Sequence, residues 1–302
     1  MPLRTPEDLA LRWVPGEGPV TLKPLAAGLV NQSYRVERGG RVYSMRLATG
    51  ALNLGIDREW ECRVLECAAR AGLAPVIAVC EPAQGILVAE WSRGHAWTPR
   101  ELRLPENIQA LTGLLRRVHA LPIPRKPRIM SPAAWIAHYG GTTRSVAASP
   151  VPRPAASAVL RGSADTRLEE LAEIPAAQVL CHSDVHRLNL AAGEHLVLLD
   201  WEYAHVSDPY WDLAAWIANN DGSGAFAADV LAGYLERRPC ELEARRLRLL
   251  TWLYDYVCLL WCERYLERPQ TAPAAEISAR AEILALRLRD GSGGRDARVP
   301  AN

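Results

Sequence analysis

The segment between residues 180 and 214 holds the side chains best suited to chemistry. It contains a His-x-Asp-x-x-x-x-Asn pattern (His182, Asp184, Asn189), and Asp200 follows at the end of an apolar run. A strand–loop–strand arrangement would bring the oxygen-bearing side chains of Asp184, Asn189 and Asp200 together at the strand ends. Phosphoryl transfer needs such a set, because one carboxylate orients the attacking hydroxyl while an amide and a second carboxylate coordinate Mg²⁺. The spacing therefore predicts this chemistry, with His182 as structural support for the loop.

Short apolar runs flank this segment and predict buried strands at 179–182 and 196–200. Upstream, alternation and helical periodicity predict a small β-rich part. It comprises a hairpin at 32–49, a helix from Asp57 to Ala71, and strands at 76–80 and 85–91. The order of elements predicts an α+β protein with a β-rich N-terminal lobe at 1–91 and a larger helical lobe at 92–289.

From Pro105 onward the sequence is mainly helical in character. Helices are predicted to end near residues 219, 237, 267 and 289. Residues 146–165 are rich in Ala, Pro and Ser and predict a long surface loop, and the tail at 290–302 predicts disorder.

The segment at 180–214 resembles the catalytic core of the aminoglycoside phosphotransferase and choline kinase superfamily, whose loop has the H-x-D-x-x-x-x-N pattern. D-W-E-Y-A (200–204) and D-P-x-W-D-L-A (208–214) are similar to bacterial choline kinases, and V-H-x-x-N-L together with D-W-E-Y-A is similar to bacterial thiamine kinases. The resemblance covers roughly residues 25–265. It implies a two-lobed, protein-kinase-like fold, ATP and Mg²⁺ as cofactors, Asp184 as the catalytic base, and Asn189 and Asp200 as metal ligands.

The resemblance also places nucleotide contacts in the N-terminal part. The implied cofactor-binding residues are Gly28, Asn31, Ser33, Arg46, Glu61, Glu90 and Trp91. The first three lie in the segment that covers the phosphates in these kinases, and the last two lie where the inter-lobe hinge meets the adenine. Arg46 stands where protein kinases have a strand lysine. Glu61 is expected to pair with it, with Glu59 as the alternative.

The acceptor has to be predicted from the aromatic residues that follow Asp200. An aromatic face stabilises a quaternary ammonium by ~0.5–2 kcal/mol per contact. The predicted acceptor-binding residues, besides Asp184, are Glu202, Tyr203, Trp216 and Trp261. Among them, Tyr203 and Trp261 match the tyrosine and the late-helix tryptophan that the resemblance to choline kinases implies. They favour a small cationic alcohol, choline- or ethanolamine-like first, with thiamine and an aminoglycoside or sugar as alternatives. Cys258 stands where choline kinases tend to carry a second aromatic residue, which weakens the case for choline itself.

Composition excludes several partners. The formal net charge is +1, with 35 basic and 34 acidic residues, so no overall field attracts nucleic acid or an anionic membrane. The longest apolar stretch, at 249–261, is interrupted by Asp255 and is too short to span a bilayer. Seven cysteines without a C-x-x-C pair predict reduced thiols in a cytoplasmic protein. The only predicted partner is the small-molecule acceptor, and the oligomeric state stays open.

Two other functions fit part of the pattern. His182, Asp184, His186 and Asp200 could form a metal-hydrolase site, but that hypothesis does not account for Asn189. A pseudokinase that binds nucleotide without turnover is the non-catalytic alternative. Such proteins commonly lose the base or a metal ligand, whereas this chain keeps all three.

Overall fold

The computed structural model describes residues 5–25, 31–48, 55–140, 156–220, 222, 224–267 and 274–291. In chain order, the helices and strands are α1 (Pro6–Trp13), β1 (Thr21–Pro24), β2 (Asn31–Arg38), β3 (Arg41–Ala48), α2 (Arg58–Arg70), β4 (Ile77–Glu81), β5 (Ile86–Glu90), α3 (Pro105–His119), α4 (Pro132–Gly140), α5 (Ala156–Ala172), β6 (Val179–Cys181), β7 (Leu190–Ala192), β8 (Leu196–Leu198), β9 (His205–Ser207), α6 (Tyr210–Asn219), α7 (Ala225–Leu235), α8 (Glu241–Leu266) and α9 (Ala274–Arg289).

The chain divides into two compact units. The first unit comprises Met1–Ala96, Pro124–Lys126 and Leu188–Ala204, and the second comprises Trp97–Ile123, Pro127–Arg187 and His205–Asn302. The first unit therefore includes a late segment that carries Asn189 and Asp200. The lobe boundaries predicted from the sequence stay a prediction.

The first unit is built on a five-stranded antiparallel sheet with the order β1-β2-β3-β5-β4. Alternation along the strands puts Val36, Tyr43, Met45, Ile86 and Val88 into one buried cluster, which also includes residues of α1. Burying one face of the sheet fixes the register, because a slip by one residue would turn the apolar set toward water. The predicted hairpin, helix and strands of this part are confirmed.

The β7–β8 hairpin also belongs to the first unit. The Leu198 amide donates to the Leu73 carbonyl at 2.9 Å, and His95 exchanges backbone hydrogen bonds with Ala192. Gly94 makes this approach possible, because a Cβ atom there would lie 2.6 Å from the carbonyl carbon of Ala191. The hairpin is therefore held in place through backbone contacts.

The second unit is organised around α8, which packs against α4, α5, α6 and α9. Among the described residues it has one two-stranded sheet, β6 with β9. The strands predicted at 179–182 and 196–200 both exist, but each pairs with a strand that the prediction missed. The surface loop predicted at 146–165 is wrong from residue 156 onward, where α5 begins; residues 146–155 and 292–302 lie outside the described residues.

The prediction that all cysteines are reduced is also wrong. Cys62 on α2 and Cys80 on β4 form a disulfide with a Cα–Cα distance of 5.9 Å. The two residues are 18 positions apart, so spacing rules for short motifs gave no signal. Among the described helices, none combines the length and the apolar character that crossing a membrane requires.

Candidate active site

Arg46 is the centre of a charged cluster in the first unit. Its guanidinium donates to Glu61 at 2.7 Å and to Asp200 at 2.8 Å, and an oxygen of Glu202 lies 3.6 Å away. Burial lowers the pKa of Arg46, but the negative charges of Glu61, Asp200 and Glu202 outweigh burial and raise it. Glu61 is thus the acid that contacts Arg46, whereas Glu59 is exposed on the same helix.

Local sequence explains how these two side chains meet. Tyr43 and Met45 are buried in the sheet core, so Arg46 projects from the opposite face of β3. Asp57 caps α2 by accepting from the Trp60 amide at 2.9 Å. Glu61 follows in the first turn, where the helix dipole favours an acid.

Arg58 is a member of this cluster that the sequence analysis missed. It donates to Glu61 at 2.9 Å, to Glu202 at 2.9 Å and to the Asn31 side-chain oxygen at 2.8 Å. The available signal was its position three residues before Glu61, which places both side chains on one helical face. Two arginines, Arg46 and Arg58, therefore face the three acids of this cluster.

Glu202 was predicted to bind the acceptor, and the structure places it inside this cluster. It is buried and accepts from the Asn31 side chain at 2.7 Å as well as from Arg58. Burial, and next the charge of Asp200, raise the pKa of Glu202 to about 7, against the opposing charges of Arg46 and Arg58. Asn31, predicted to bind the nucleotide, is the neutral partner that fixes this carboxyl group.

Asn189 and Asp200, the predicted metal ligands, lie at the same end of the β7–β8 hairpin in the first unit. Asn189 precedes β7 and Asp200 follows β8, and the Leu199 amide donates to the Asn189 carbonyl at 2.8 Å. Asp200 has φ 57°, an uncommon conformation for a residue with a side chain. An amide oxygen and a carboxylate on one hairpin are oxygen donors of the kind that Mg²⁺ takes. The donor set fits this ion.

Asp184 lies in the second unit, in a loop that is clamped to α6. The amides of His182 and Ser183 donate to the two carboxylate oxygens of Asp212 at 2.9 and 2.6 Å, and His119 contacts the same carboxylate at 3.0 Å. Ser183 has φ 72°, a costly conformation that this clamp holds in place. Burial raises the pKa of Asp212, but the hydrogen bond and charge of His119 outweigh burial and lower it.

The carboxyl group of Asp184 is ionised at neutral pH. Burial raises its pKa, but the hydrogen bond and charge of His186, with the charges of His182 and Arg280, outweigh burial and lower it. A His186 ring nitrogen lies 3.6 Å from the carboxylate. His182 itself is fully buried, as expected for a supporting residue. Asp184 therefore carries a negative charge in this loop.

The remaining residues predicted to bind nucleotide are spread along the sheet. Ser33 is paired with Arg46 across β2 and β3, while Gly28 lies outside the described residues. Glu90 ends β5 and forms an ion pair with a β3 arginine. Trp91 follows it, is half-buried, and has an arginine 5.5 Å from its ring. Their roles toward ATP stay predictions.

The predicted aromatic acceptor residues differ in exposure. Trp216 is completely buried and packs edge-on against Trp97, with ring centroids 6.1 Å apart. That is a core position without an exposed face. Tyr203 is half-buried in the first unit, and Trp261 is half-buried in the second, stacked on Tyr265 at 5.3 Å.

Among the described residues, His182, Asp184 and His186 of the hydrolase hypothesis do not gather into a group of three metal-type ligands. In the part of the chain that the structure describes, the group that gathers three such ligands consists of His119, Cys181 and Asp212. His119 and Asp212 are engaged in the clamp, and the second ring nitrogen of His119 contacts Tyr234 at 2.8 Å. The Cys181 thiol donates to the Asp208 carbonyl at 3.4 Å.

Comparison with known proteins identifies the family. The model of a phosphotransferase enzyme family (APH) matches residues 21–250, which is most of the chain. The chain belongs to this phosphotransferase family. The predicted superfamily is confirmed, and no curated protein matches the sequence significantly.

Solved structures confirm the fold of this phosphotransferase. A choline/ethanolamine kinase family protein from Mesorhizobium loti is 22% identical with a TM-score of 0.74, covering 93% of this chain and 89% of its own. Choline kinase LicA from Streptococcus pneumoniae is 19% identical with a TM-score of 0.73, covering 89% of this chain and 93% of its own. The structure of LicA in complex with AMP is 19% identical with a TM-score of 0.76, covering 94% of this chain and 97% of its own. At these identities the likeness establishes the predicted protein-kinase-like fold.

Proposed function

We propose that this phosphotransferase is a kinase that moves the γ-phosphoryl group of ATP to a hydroxyl of a small molecule, with Mg²⁺ as cofactor. The observation that carries the proposal is the Asp184 loop, in which an ionised carboxylate follows a backbone clamp to Asp212. Membership of the family supports the reaction class, and the AMP complex of LicA supports an adenine nucleotide.

The first unit is assigned to the nucleotide. Asn189 and Asp200 would hold Mg²⁺, which supplies charge neutralisation at the phosphates when it is bound. Arg46, fixed by Glu61, is assigned to the phosphates, because its cation survives at any accessible pH. The segment with Gly28, Asn31 and Ser33 is assigned to the phosphates, and Glu90 with Trp91 to the adenine, as the family resemblance implies.

Asp184 is assigned to the acceptor hydroxyl. The hydroxyl oxygen forms a bond to the γ-phosphorus, the bond from that phosphorus to the bridging oxygen breaks, and ADP leaves. The hydroxyl proton passes to the Asp184 carboxylate. Because the loop geometry is fixed by Asp212, the carboxylate is oriented before the acceptor arrives, which is where positioning lowers the barrier.

The acceptor predicted from sequence, a choline- or ethanolamine-like cationic alcohol, is supported by the choline and ethanolamine kinases among the similar structures. Tyr203 and Trp261 keep partly exposed rings that could contact it. Glu202 and Trp216 no longer support it, since both are buried in other contacts. Thiamine, aminoglycosides and sugars stay as alternatives, and a cytoplasmic location stays a prediction.

The direct test is Asp184→Asn in an assay of ADP release. We expect turnover to fall about 10²- to 10⁴-fold, while affinity for a non-hydrolysable ATP analogue measured by calorimetry is unchanged. Asp165→Asn, at an exposed site on α5, is the matched control. Near-normal turnover by the Asp184 variant would refute the assignment. Nucleotide binding without turnover of any acceptor by the wild type would favour the pseudokinase.

Asp184 also determines the pH profile. Its pKa lies below the ordinary aspartate value, so the carboxylate is already ionised throughout the neutral range. We therefore expect the acid limb of kcat to lie below about pH 4. If kcat instead has an acid limb near pH 6 or 7 and Asp184 is the cause of that limb, this expectation is contradicted.

A further inference from the structure

Arg280 on α9 is an exposed arginine of the second unit with a fixed position. Its guanidinium donates to the side-chain oxygen of Asn219 at 3.2 Å. Among the described residues, the carboxylate whose charge acts on this guanidinium is that of Asp184. Because a guanidinium has five N–H donors, one bond to Asn219 leaves donors that can point elsewhere.

A chain of hydrogen bonds connects Arg280 to the loop on both sides of Asp184. The side-chain nitrogen of Asn219 donates to the Val185 carbonyl at 3.5 Å and to the Tyr254 hydroxyl at 3.1 Å. The Tyr254 hydroxyl in turn contacts the Ser183 carbonyl at 3.5 Å. Arg280 is thereby anchored to the residues that precede and follow the proposed catalytic base.

Among the described side chains, those with the largest electrostatic effect on Arg280 are three on α8 (Tyr254, Cys258 and Cys262) and the carboxylate of Asp184. Burial raises the pKa of Cys258 to about 12 and that of Cys262 to about 11, so both thiols stay protonated. Burial also raises the pKa of Tyr254, so its hydroxyl stays protonated. These three side chains of α8 therefore contribute no negative charge against Arg280, and the opposing charge is that of Asp184.

We propose that Arg280 binds an oxyanion of the acceptor, a carboxylate or a phosphate, and so selects an alcohol that carries a negative charge. This inference rests on the proposed kinase function and assigns the substrate class of the same site. A planar guanidinium matches a carboxylate or phosphate with two parallel hydrogen bonds, which would orient the acceptor hydroxyl toward Asp184. The anchor through Asn219 reduces the side-chain entropy lost when the acceptor binds.

The same charge disfavours the cationic alcohols predicted from sequence. An ammonium group brought to this side of the loop meets a fixed guanidinium, and repulsion between like charges is a source of specificity. Cys258, which stands where choline kinases tend to have an aromatic residue, offers no π face to offset that repulsion.

The test uses alcohols that share a three-carbon skeleton and differ in charge: D-glycerate, glycerol 3-phosphate, glycerol and 3-amino-1,2-propanediol. Binding is measured by calorimetry and turnover by ADP release, for the wild type, Arg280→Ala, Arg280→Lys and the control Arg289→Ala. Arg289 is exposed on the same helix. We expect D-glycerate or glycerol 3-phosphate to bind best of the four alcohols. Arg280→Ala should weaken the binding of that oxyanion about 10- to 100-fold, seen as a rise in KM. Arg280→Lys should fall between, and Arg289→Ala should match the wild type.

Three outcomes separate this proposal from the kinase function on which it rests. If the cationic or neutral alcohol is phosphorylated and Arg280→Ala does not weaken the binding of either oxyanion, the proposed acceptor class is wrong while the kinase function holds. If oxyanions bind through Arg280 and no alcohol is phosphorylated, the acceptor class holds while the kinase function fails. If neither oxyanion shows Arg280-dependent binding, the proposal is overturned whatever the turnover.

Discussion

Removal of the Cys62–Cys80 disulfide is expected to lower the free energy of unfolding of the first unit by ~3 kcal/mol. The bond joins α2, which carries Glu61, to the edge strand β4. Both cysteines are half-buried, so a serine at either position adds little burial cost of its own. The effect should therefore come from the lost cross-link.

The magnitude follows from the length of the closed loop. The two cysteines are 18 residues apart. For a loop of that size the chain-entropy relation gives a loss of about 11 cal/mol/K in the unfolded chain, which is ~3 kcal/mol at 25 °C. The Cα–Cα distance of 5.9 Å lies in the ordinary range for a disulfide, so backbone distortion need not be subtracted.

Urea unfolding followed by circular dichroism measures the change. The wild type is compared with and without dithiothreitol, and with the Cys62→Ser/Cys80→Ser double variant. Cys67→Ser, on the same helix but outside the disulfide, is the control. Because the two units could unfold in separate steps, the shift is read from the transition that changes on reduction.

Two results would refute this reasoning. A thiol titration of the denatured, unreduced protein should find five thiols, because seven cysteines include one disulfide pair; a count of seven means that the bond is absent. If the bond is present and the double variant unfolds within ~0.5 kcal/mol of the wild type, loop closure is not what the bond contributes.

Three further predictions concern single residues. Asp212→Ala should lower the free energy of unfolding, measured in urea, by ~2–5 kcal/mol, because two buried amides lose their acceptor. Since the pKa of Asp212 is lowered on folding, its contribution to stability is complete above about pH 4 and is lost as the pH falls further. Unfolding at several pH values checks this. Gly94→Ala should lower the free energy of unfolding, measured by thermal melting, by ~1–3 kcal/mol, because the new methyl group would overlap Ala191. In the control Gly162→Ala on α5, the new methyl group meets nothing within 4 Å and should not destabilise that helix. Glu61→Gln should lower the free energy of unfolding, measured in urea, by ~1–3 kcal/mol, because Arg46 loses a buried counter-charge. For the same reason it should weaken ATP binding measured by calorimetry.

The elements that carry Arg46 and Glu61 could be expected from sequence because local patterns encode them. Alternation in β2 and β3 fixes which face is buried, and hence where Arg46 points. Helical spacing in α2 likewise places Glu61 on a defined face. Each of these statements depends on residues a few positions apart.

Features that depend on distant partners could not be derived. The pairing of β6 with β9 and of β7 with β8 joins strands of three residues each, too short to leave a clear periodic signal. The disulfide requires Cys62 and Cys80 to meet in space. The burial of Trp216 requires knowing that α6 lies under α8, since an aromatic residue at a helical position fits a core or a binding surface equally well.

The contact between Arg46 and Asp200 has a consequence for the order in which ligands bind. A divalent cation that reaches Asp200 must displace a guanidinium instead of entering an uncompensated negative site, so the metal alone should bind weakly. Nucleotide phosphates offer Arg46 a replacement partner, and each ligand then removes the cost of binding the other. On the proposed assignment, metal and nucleotide are linked reciprocally: the factor by which ATP tightens the metal equals the factor by which the metal tightens ATP.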